Sequence, residues 1–153
     1  MTTDTRPDIP LGYTHDTHGR VLTFKNSDGF WCEYTRDTHG NELTYKDSSG
    51  FWREYTRDKQ GNELTFKDRD GFWREYTRDK QGVELTFKNG GGAWATLAID
   101  HSYTLRYNAD TGIYWAGCRE FTAEQALDHW SVRDDPRAMQ FTAAIINHLG
   151  EMK

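Results

Sequence analysis

The segment GFWREYTRDKQGNELTFKDRD, residues 50–70, sets the architecture, because the chain repeats it with a fixed period. The copy before it begins at Gly29 and reads GFWCEYTRDTHGNELTYKDSS, and the copy after it begins at Gly71 and reads GFWREYTRDKQGVELTFKNGG. A degraded copy occupies residues 13–24, and a partial copy begins at Gly92. A fixed period of this length indicates a repeat architecture in which each unit packs on its neighbours.

Two turn signals of the form Asp-x-x-Gly divide each copy. In the copy that begins at Gly29 they are Asp37–Gly40 and Asp47–Gly50. Each glycine stands where a turn needs a left-handed residue, and each aspartate can bind its own backbone to start the turn. The β-branched and aromatic segments between the turns, near 30–36 and 41–47, predict strands of an antiparallel hairpin meander.

The odd repeat length of 21 residues carries information about register, since side chains alternate faces with a period of two. One of the two turns must therefore hold an extra residue. We favour a two-residue His39-Gly40 turn and a three-residue loop in Asp47–Gly50, because the alternative assignment separates the aromatic residues less cleanly. This register predicts favourable cross-strand pairs at Glu33–Lys46, Thr35–Thr44, Glu54–Lys67, Thr56–Thr65, Glu75–Lys88 and Thr77–Thr86, and an unfavourable Asp37–Glu42 pair.

The same register predicts two different sheet faces. One face collects Phe30, Tyr34, Leu43 and Tyr45 and their equivalents, with arginines such as Arg36 and Arg53 placed to lie over the rings. The other face carries glutamate, threonine and lysine together with a column of indoles. The candidate binding residues are the indoles Trp31, Trp52, Trp73 and Trp94, the tyrosines Tyr34, Tyr55 and Tyr76, and the arginines Arg53 and Arg74.

The pattern changes after Trp94. SYTLRY and GIYWAG flank the turn Asn108–Gly112 and predict one more hairpin. Thr122 and Gln125 form a capping box for a short helix, AEQALDHW. A second helix begins at Asp135-Pro136 and ends at Gly150. Its apolar stripe consists of Ala138, Phe141, Thr142, Ile145 and Leu149. We expect both helices to cover the aromatic face.

These elements predict a mainly β fold with C-terminal α structure, an antiparallel hairpin repeat meander capped by a hairpin and two helices. The expected organisation is a flexible tail at 1–11, a repeat array at 12–97, and a C-terminal module at 98–153. Only 35% of the chain is hydrophobic and 14% is aromatic, so the rings are expected to supply the cohesion.

Charge and composition limit the classes of partner. The net charge is -5, and acids and bases balance within residues 50–70, so no basic track for nucleic acid is present. The polar start, MTTDTRPDIPLG, contains no apolar signal segment, and no stretch reaches transmembrane length. We therefore expect a reduced, cytoplasmic protein of a bacterial cell without a membrane partner.

The residues that could carry chemistry are few. His15, His18 and His39 lie in repeat turns and are expected to be solvated, so no metal site is predicted. Cys118, Asp128 and His129 are the residue types of a thiol nucleophile and its base, but the simpler expectation is a buried Cys118 beside two polar helix positions. We predict no catalytic residues, no cofactor and no enzymatic activity.

The spacing Tyr34-x-x-Asp37-x-x-Gly40-Asn41-x-Leu43 resembles the YD repeat of RHS-type proteins, in which hairpins build long sheets. Arg36, Arg57 and Arg78 stand where that family has a second tyrosine. The pattern Trp-x-x-Tyr-x-x-Asp-x-x-Gly also resembles choline-binding cell-wall repeats. The run YWAGCREFTAEQALDHW, residues 114–130, is similar to a short uncharacterised module of small bacterial and bacteriophage proteins.

The function expected from these features is protein binding without catalysis. The resemblance to phage proteins implies an accessory factor of a phage or mobile element that inhibits a host defence complex, for example an anti-CRISPR protein. Two alternatives stay open: a module that binds carbohydrate or a choline-like ligand through the Trp column, and an RHS-related toxin or immunity component. Self-association into a dimer, through the uncovered face or an edge strand, is an independent expectation.

Overall fold

The computed structural model describes residues 8–101 and 103–153, so most of the tail expected at 1–11 lies outside the described residues. Twelve antiparallel strands follow one another in chain order in one sheet, and two helices follow them. The predicted hairpin meander with C-terminal helices is therefore confirmed. In the described ranges neither helix has the length and apolar character needed to cross a membrane.

The strands and helices have the following bounds. The strands are β1 (Gly12–His15), β2 (Val21–Lys25), β3 (Trp31–Arg36), β4 (Glu42–Asp47), β5 (Trp52–Arg57), β6 (Glu63–Asp68), β7 (Trp73–Arg78), β8 (Glu84–Asn89), β9 (Gly92–Asp100), β10 (Tyr103–Asn108), β11 (Ile113–Ala116) and β12 (Arg119–Phe121). The helices are α1 (Ala123–Ser131) and α2 (Pro136–Glu151). The short strand β12 was not expected from the sequence.

The described residues form two compact units, which divide between Arg74 and Glu75. The first unit holds β1 to β6 and the start of β7. The second unit holds the rest of β7, the strands β8 to β12 and both helices. Strand β9 runs across residues 97 and 98, where the sequence suggested the end of the repeat array.

Both turns of a repeat have the same geometry. The Asp37 N–H donates to the Asn41 carbonyl at 2.9 Å, and the Gly40 N–H donates to the Asp37 carbonyl at 3.0 Å. The Asp47–Gly50 turn repeats this pattern, and the two glycines have φ values of 88° and 81°. Each turn is thus a three-residue loop that ends in a left-handed glycine. The predicted two-residue His39-Gly40 turn is wrong.

The extra residue of the 21-residue period lies in a β-bulge beside the first turn. Thr35 faces Thr44, but the next pair is Arg36 with Glu42, so Leu43 has no partner in the ladder. The bulge changes which side chain meets Glu42, and the predicted Asp37–Glu42 pair is wrong for that reason. Outside the bulge, the predicted pairs Glu33–Lys46, Thr35–Thr44, Glu54–Lys67 and Thr56–Thr65 are confirmed.

The helices of the second unit cover the face opposite to the one expected. Leu105 and Tyr114 are fully buried against Phe141 and Ile145 of α2. Arg106, next in strand β10, points to the other face and lies over Phe87. The helices therefore pack on the face opposite the Phe87 ring, so the prediction that they cover the aromatic face is wrong. The apolar alternation reverses in β10 and β11, where Leu105 and Tyr114 supply a second buried face.

The helix ends follow the sequence signals closely. Thr122 accepts a hydrogen bond from the Gln125 N–H, and the Gln125 side chain accepts one from the Thr122 N–H, which confirms the capping box. Asp135 caps α2 and Pro136 is its first residue, as predicted. The helix continues through Gly150 to Glu151, so the predicted end at Gly150 is wrong.

Candidate binding faces of the hairpin repeats

The aromatic face of the first unit consists of ring pairs that cross each hairpin. The rings of Tyr34 and Tyr45 are 5.0 Å apart, and those of Tyr55 and Phe66 are 4.9 Å apart. The pairs arise because the bulge keeps both aromatic positions on one face of the sheet. Each tilted ring pair at this spacing contributes about 0.5–1.5 kcal/mol beyond the free energy gained by burying its surface area.

In each of these pairs, an arginine from the next hairpin and a glutamate from the pair's own hairpin clamp the second ring. The Arg53 guanidinium lies 4.8 Å from the Tyr45 ring centre, and its Nη2 donates to Glu42 Oε2 at 3.0 Å. Arg74 lies 4.6 Å from the Phe66 ring centre and donates to Glu63 in the same way. The hydrogen bonds to Glu42 raise the pKa of Arg53, so its charge is permanent.

Two of the predicted binding residues, Arg53 and Arg74, are therefore engaged within the fold. Each has a carboxylate and a ring as internal partners, which a binding partner would have to displace. The clamp explains why these arginines recur, since a bidentate pair above a ring combines ionic and cation–π attraction.

The second unit contains the same clamp, which sequence reasoning missed. Arg106 donates to both oxygens of Glu84 and lies 4.6 Å from the Phe87 ring centre and 4.9 Å from that of Trp115. The glutamate and the arginine are 22 residues apart here, against 11 in the repeats. The repeat period therefore carried no signal for Arg106, because its strand lies beyond the last copy.

A second set of arginines lies over the predicted tyrosines. Arg36, Arg57 and Arg78 lie 5.1–5.2 Å from the ring centres of Tyr34, Tyr55 and Tyr76. The same guanidinium groups donate to the carbonyl groups of the turn glycines Gly40, Gly61 and Gly82 at 3.1–3.2 Å. These arginines tie each ring to its own turn, which accounts for arginine at this position of the repeat.

The first copy lacks the clamp. Phe24 faces Cys32, and Cys32 occupies the position that Arg53 and Arg74 hold in later copies. Val21 takes the place of the glutamate. A cavity of about 550 Å³ remains here, lined by Tyr13, Arg20, Val21, Phe24, Cys32, Tyr34 and Arg36.

Trp94 does not belong to the indole column. It faces Phe87 in the ladder, is 7% exposed, and its ring lies 5.4 Å from that of Trp115. The turn before it pairs Asn89 with Gly92, which leaves a two-residue loop in place of the usual three. One residue fewer in the loop turns the following strand over, so the predicted place of Trp94 beside the other indoles is wrong.

The remaining indoles lie on the face opposite the clamps. Trp31 faces Lys25 and Trp52 faces Lys46, while Trp73 alternates with Arg74 along its strand. Trp31 and Trp52 are half-buried, and Trp73 is 41% exposed. Over residues 8–101 and 103–153, these three indoles form no ring pair and no hydrogen bond through their side chains.

Threonine pairs and ion pairs complete the face that carries the indoles. The hydroxyl groups of Thr35 and Thr44 are 2.7 Å apart, as are those of Thr56 and Thr65. Lys67 and Glu54 form an ion pair at 2.9 Å. In the second unit, Thr77 and Thr86 form the corresponding predicted contact at 2.7 Å. We call the surface of Trp31, Trp52 and Trp73 with these neighbours in the first unit the indole face.

Cys118 and His129 line one cavity of about 340 Å³ in the second unit, whereas Asp128 lines a neighbouring one. Cys118 is exposed, so the expectation that it is buried is wrong. Its position between β11 and β12, a strand that the sequence did not predict, explains the error. Burial lowers the pKa of His129, and Arg133 and Arg119 lower it further, so the imidazole is neutral at pH 7.

The fold and these faces define a class, the β-hairpin repeat proteins, here with an aromatic clamp in the repeats after the first copy. No protein-family model matches the chain, and no curated protein matches it. The resemblance to YD repeats stays a prediction. Within the described ranges, no group of three or more histidine, cysteine or acidic side chains is placed to hold a metal ion.

Proposed function

We propose that this chain is a non-enzymatic protein-binding repeat protein whose partner docks on the indole face. The observation that carries the proposal is the contrast between the two faces. The Tyr45 and Phe66 rings opposite the indole face are held by arginine clamps, whereas the side chains of Trp31, Trp52 and Trp73 form no ring pair or hydrogen bond in the described part of the chain.

The chemistry of the indole face suits a protein partner. Tryptophan is among the residues that contribute most to protein interfaces when it becomes fully desolvated. Equivalent strands of a meander are about 10 Å apart, so the indoles form a regular row. Lys46 and the Glu54–Lys67 pair supply a charged rim around them.

The experiment replaces the three indoles by threonine, which suits a strand. The variant Trp31→Thr/Trp52→Thr/Trp73→Thr and the wild-type chain are used as baits in bacterial lysate, and the captured proteins are quantified. The matched control is Phe30→Ser/Phe72→Ser. These rings are 40% and 50% exposed and lie on the clamp face next to Trp31 and Trp73.

We expect the indole variant to lose a partner that the control retains. Equal capture by all three baits would contradict the proposal. If the partner is a second copy of the chain, light scattering shows a lower molar mass for the indole variant only.

We further propose the bacterial cytoplasm as the place of action and a host defence complex, such as a CRISPR effector, as the partner. This rests on the resemblance of residues 114–130 to phage proteins and is supported by the two free thiols, Cys32 and Cys118. The test is a plasmid-interference assay in cells with an active CRISPR system. We expect protection by the wild-type chain and by the Phe30→Ser/Phe72→Ser control, and loss of protection in the indole variant.

A second candidate function is binding of a small cation, such as choline, in the first-copy cavity. In the later copies a guanidinium lies over the ring that corresponds to Phe24: Arg53 is 4.8 Å from the Tyr45 ring centre, and Arg74 is 4.6 Å from that of Phe66. In the first copy the cavity occupies the corresponding place beside Phe24. The variant Val21→Glu/Cys32→Arg would rebuild the clamp there. We expect calorimetry to detect choline binding to the wild-type chain and none to this variant; identical heats would exclude the site.

A further inference from the structure

The strongest unassigned feature is the cavity of about 340 Å³ between the last strands and the helices of the second unit. Its wall contains three guanidinium groups, one imidazole and three aromatic rings. The lining residues that matter for its chemistry are Tyr103, Arg119, Phe121, Trp130, Arg133 and Arg137. Three guanidinium groups around one cavity are unexpected in a chain whose net charge is -5.

Two acids beside this cavity, Asp100 and Asp135, are engaged within the fold. Asp100 accepts a hydrogen bond from Arg137 at 2.8 Å, and Arg137 also lies 4.0 Å from the Tyr103 ring centre. Asp135 lines the cavity, but its carboxylate caps α2 by accepting from the Ala138 N–H at 2.9 Å. Asp100 therefore balances the charge of Arg137, which is one of the three arginines in the cavity wall.

Arg119 and Arg133 are left without a carboxylate. Neither forms an ion pair with any acid in residues 8–101 and 103–153, and both are exposed. Burial is the largest cause that lowers the pKa of His129, and the charges of Arg133 and Arg119 lower it further. Both charges therefore lie close to one side chain in the same cavity wall. Two like charges held near each other repel, and an anion between them would relieve the repulsion.

Trp130, which lines the cavity, has a polar atom that the fold leaves unpaired. Trp130 is 6% exposed, and its buried Nε1–H has no acceptor in the described structure. The Arg133 guanidinium lies 5.7 Å from the centre of the same ring.

From this geometry we infer that the cavity is a binding site for a phosphate monoester. Two unpaired guanidinium groups match the charge of about -2 that a phosphate monoester carries at neutral pH, and their planar forks suit its oxygens. The rings of Phe121, Tyr103 and Trp130 give the carrier of the phosphate an apolar wall. A carboxylate, with a single charge, satisfies only one of the two guanidinium groups.

The test uses phenyl phosphate as the probe and benzoate as the singly charged control of similar size. Each is titrated into the ¹⁵N-labelled full chain in a phosphate-free buffer, and the indole N–H signal of Trp130 is followed by NMR. The signal is assigned with the variant Trp130→Phe. The second readout is the alkylation rate of Cys118, which is exposed in the same cavity wall, while Cys32 is buried and serves as the internal reference.

We expect phenyl phosphate to shift the Trp130 signal in a saturable manner, to slow alkylation of Cys118, and to bind at least about tenfold more tightly than benzoate. The variant Arg119→Ala/Arg133→Ala should lose this binding. The matched control, Lys59→Ala/Arg69→Ala, removes two exposed positive charges from the first unit and should leave it unchanged.

Three results would overturn the inference. They are the absence of any Trp130 shift at about 20 mM phenyl phosphate, equal affinity for benzoate, and unchanged binding by Arg119→Ala/Arg133→Ala. The dispersion of the remaining amide signals shows whether each variant is folded, so a loss of binding through unfolding is recognised directly.

Discussion

Trp94 lies directly opposite Phe87 in the ladder of β8 and β9, and its indole packs against Trp115 with ring centres 5.4 Å apart. In the repeats the corresponding tryptophans face lysine, as Trp52 faces Lys46. The same residue type in the same repeat position therefore has two structural roles, and the length of one turn separates them.

This difference predicts that substitutions of Trp94 and Trp52 lower the free energy of unfolding by unequal amounts. Trp94→Ala removes a buried ring from the second unit and should lower the free energy of unfolding by about 3–5 kcal/mol. Trp52→Thr removes a half-buried ring and places a strand-forming residue in the strand, so about 1 kcal/mol or less is expected. Urea denaturation followed by circular dichroism measures both. Equal costs would show that the two indoles have equivalent environments.

The clamp predicts a measurable coupling between Glu42 and Arg53. A double-mutant cycle with Glu42→Ala, Arg53→Ala and the double variant should give a coupling energy of about 1–2 kcal/mol, since the pair is bidentate and partly buried. The matched control is the more exposed Glu54–Lys67 pair, for which about 0.5 kcal/mol or less is expected. A larger coupling in the exposed pair would contradict the role assigned to the clamp.

The turn aspartates predict a loss of stability in acid. The Asn41 amide, with the backbone N–H groups of Asn41 and His39, holds the pKa of Asp37 below its usual value. A depressed pKa in the folded state gives stability that is complete above the unfolded value of about 3.9 and disappears as the pH falls through the folded value.

We therefore expect the stability difference between the wild-type chain and Asp37→Asn to shrink as the pH is lowered from about 6 to about 2. Asparagine can form the same turn, as Asn26 does by accepting from the Phe30 N–H at 2.9 Å. Asp28→Asn, at an exposed turn position, is the control and should follow the wild-type curve. A difference for Asp37→Asn that stays constant with pH would refute the assignment.

The capping box predicts a local effect on α1. Thr122→Ala removes the acceptor for the Gln125 N–H and should cost about 1 kcal/mol, whereas Thr122→Ser keeps the hydroxyl and should be nearly neutral. Because α1 carries the buried Trp130, hydrogen exchange of the α1 amides should quicken in the alanine variant first. Identical exchange in both variants would show that the cap does not limit opening of the helix.

Much of the register was predictable from the repeats because cross-strand chemistry is local. Thr35–Thr44 and Glu33–Lys46 pair as expected, since threonine pairs and opposite charges are favourable neighbours in an antiparallel ladder. The turn geometry was harder to predict. A two-residue turn and a three-residue turn followed by a bulge place Thr35 opposite Thr44 equally well, so the sequence pattern could not distinguish them.

The candidate site was predictable only in part. Arginines over rings were expected, but the carboxylates that complete the clamps were not, because the bulge that brings Glu42 to Arg53 is invisible in the periodicity. The cavity around Trp130 brings together residues from β10, the β11–β12 turn, both helices and the segment between the helices. No spacing in the sequence signals such a cluster, since its members become neighbours only when the helices pack on the sheet.

Local signals along the chain specify the hairpins, their order and the two helices, because turn residues, strand alternation and caps act over a few residues. Long-range packing selects which face each element covers. The Asn89–Gly92 loop closes with two residues in place of three and so turns the start of β9 over, and the helices pack on the face that Leu105 and Tyr114 make apolar. That choice depends on the free energy of packing distant elements together, which no local pattern records.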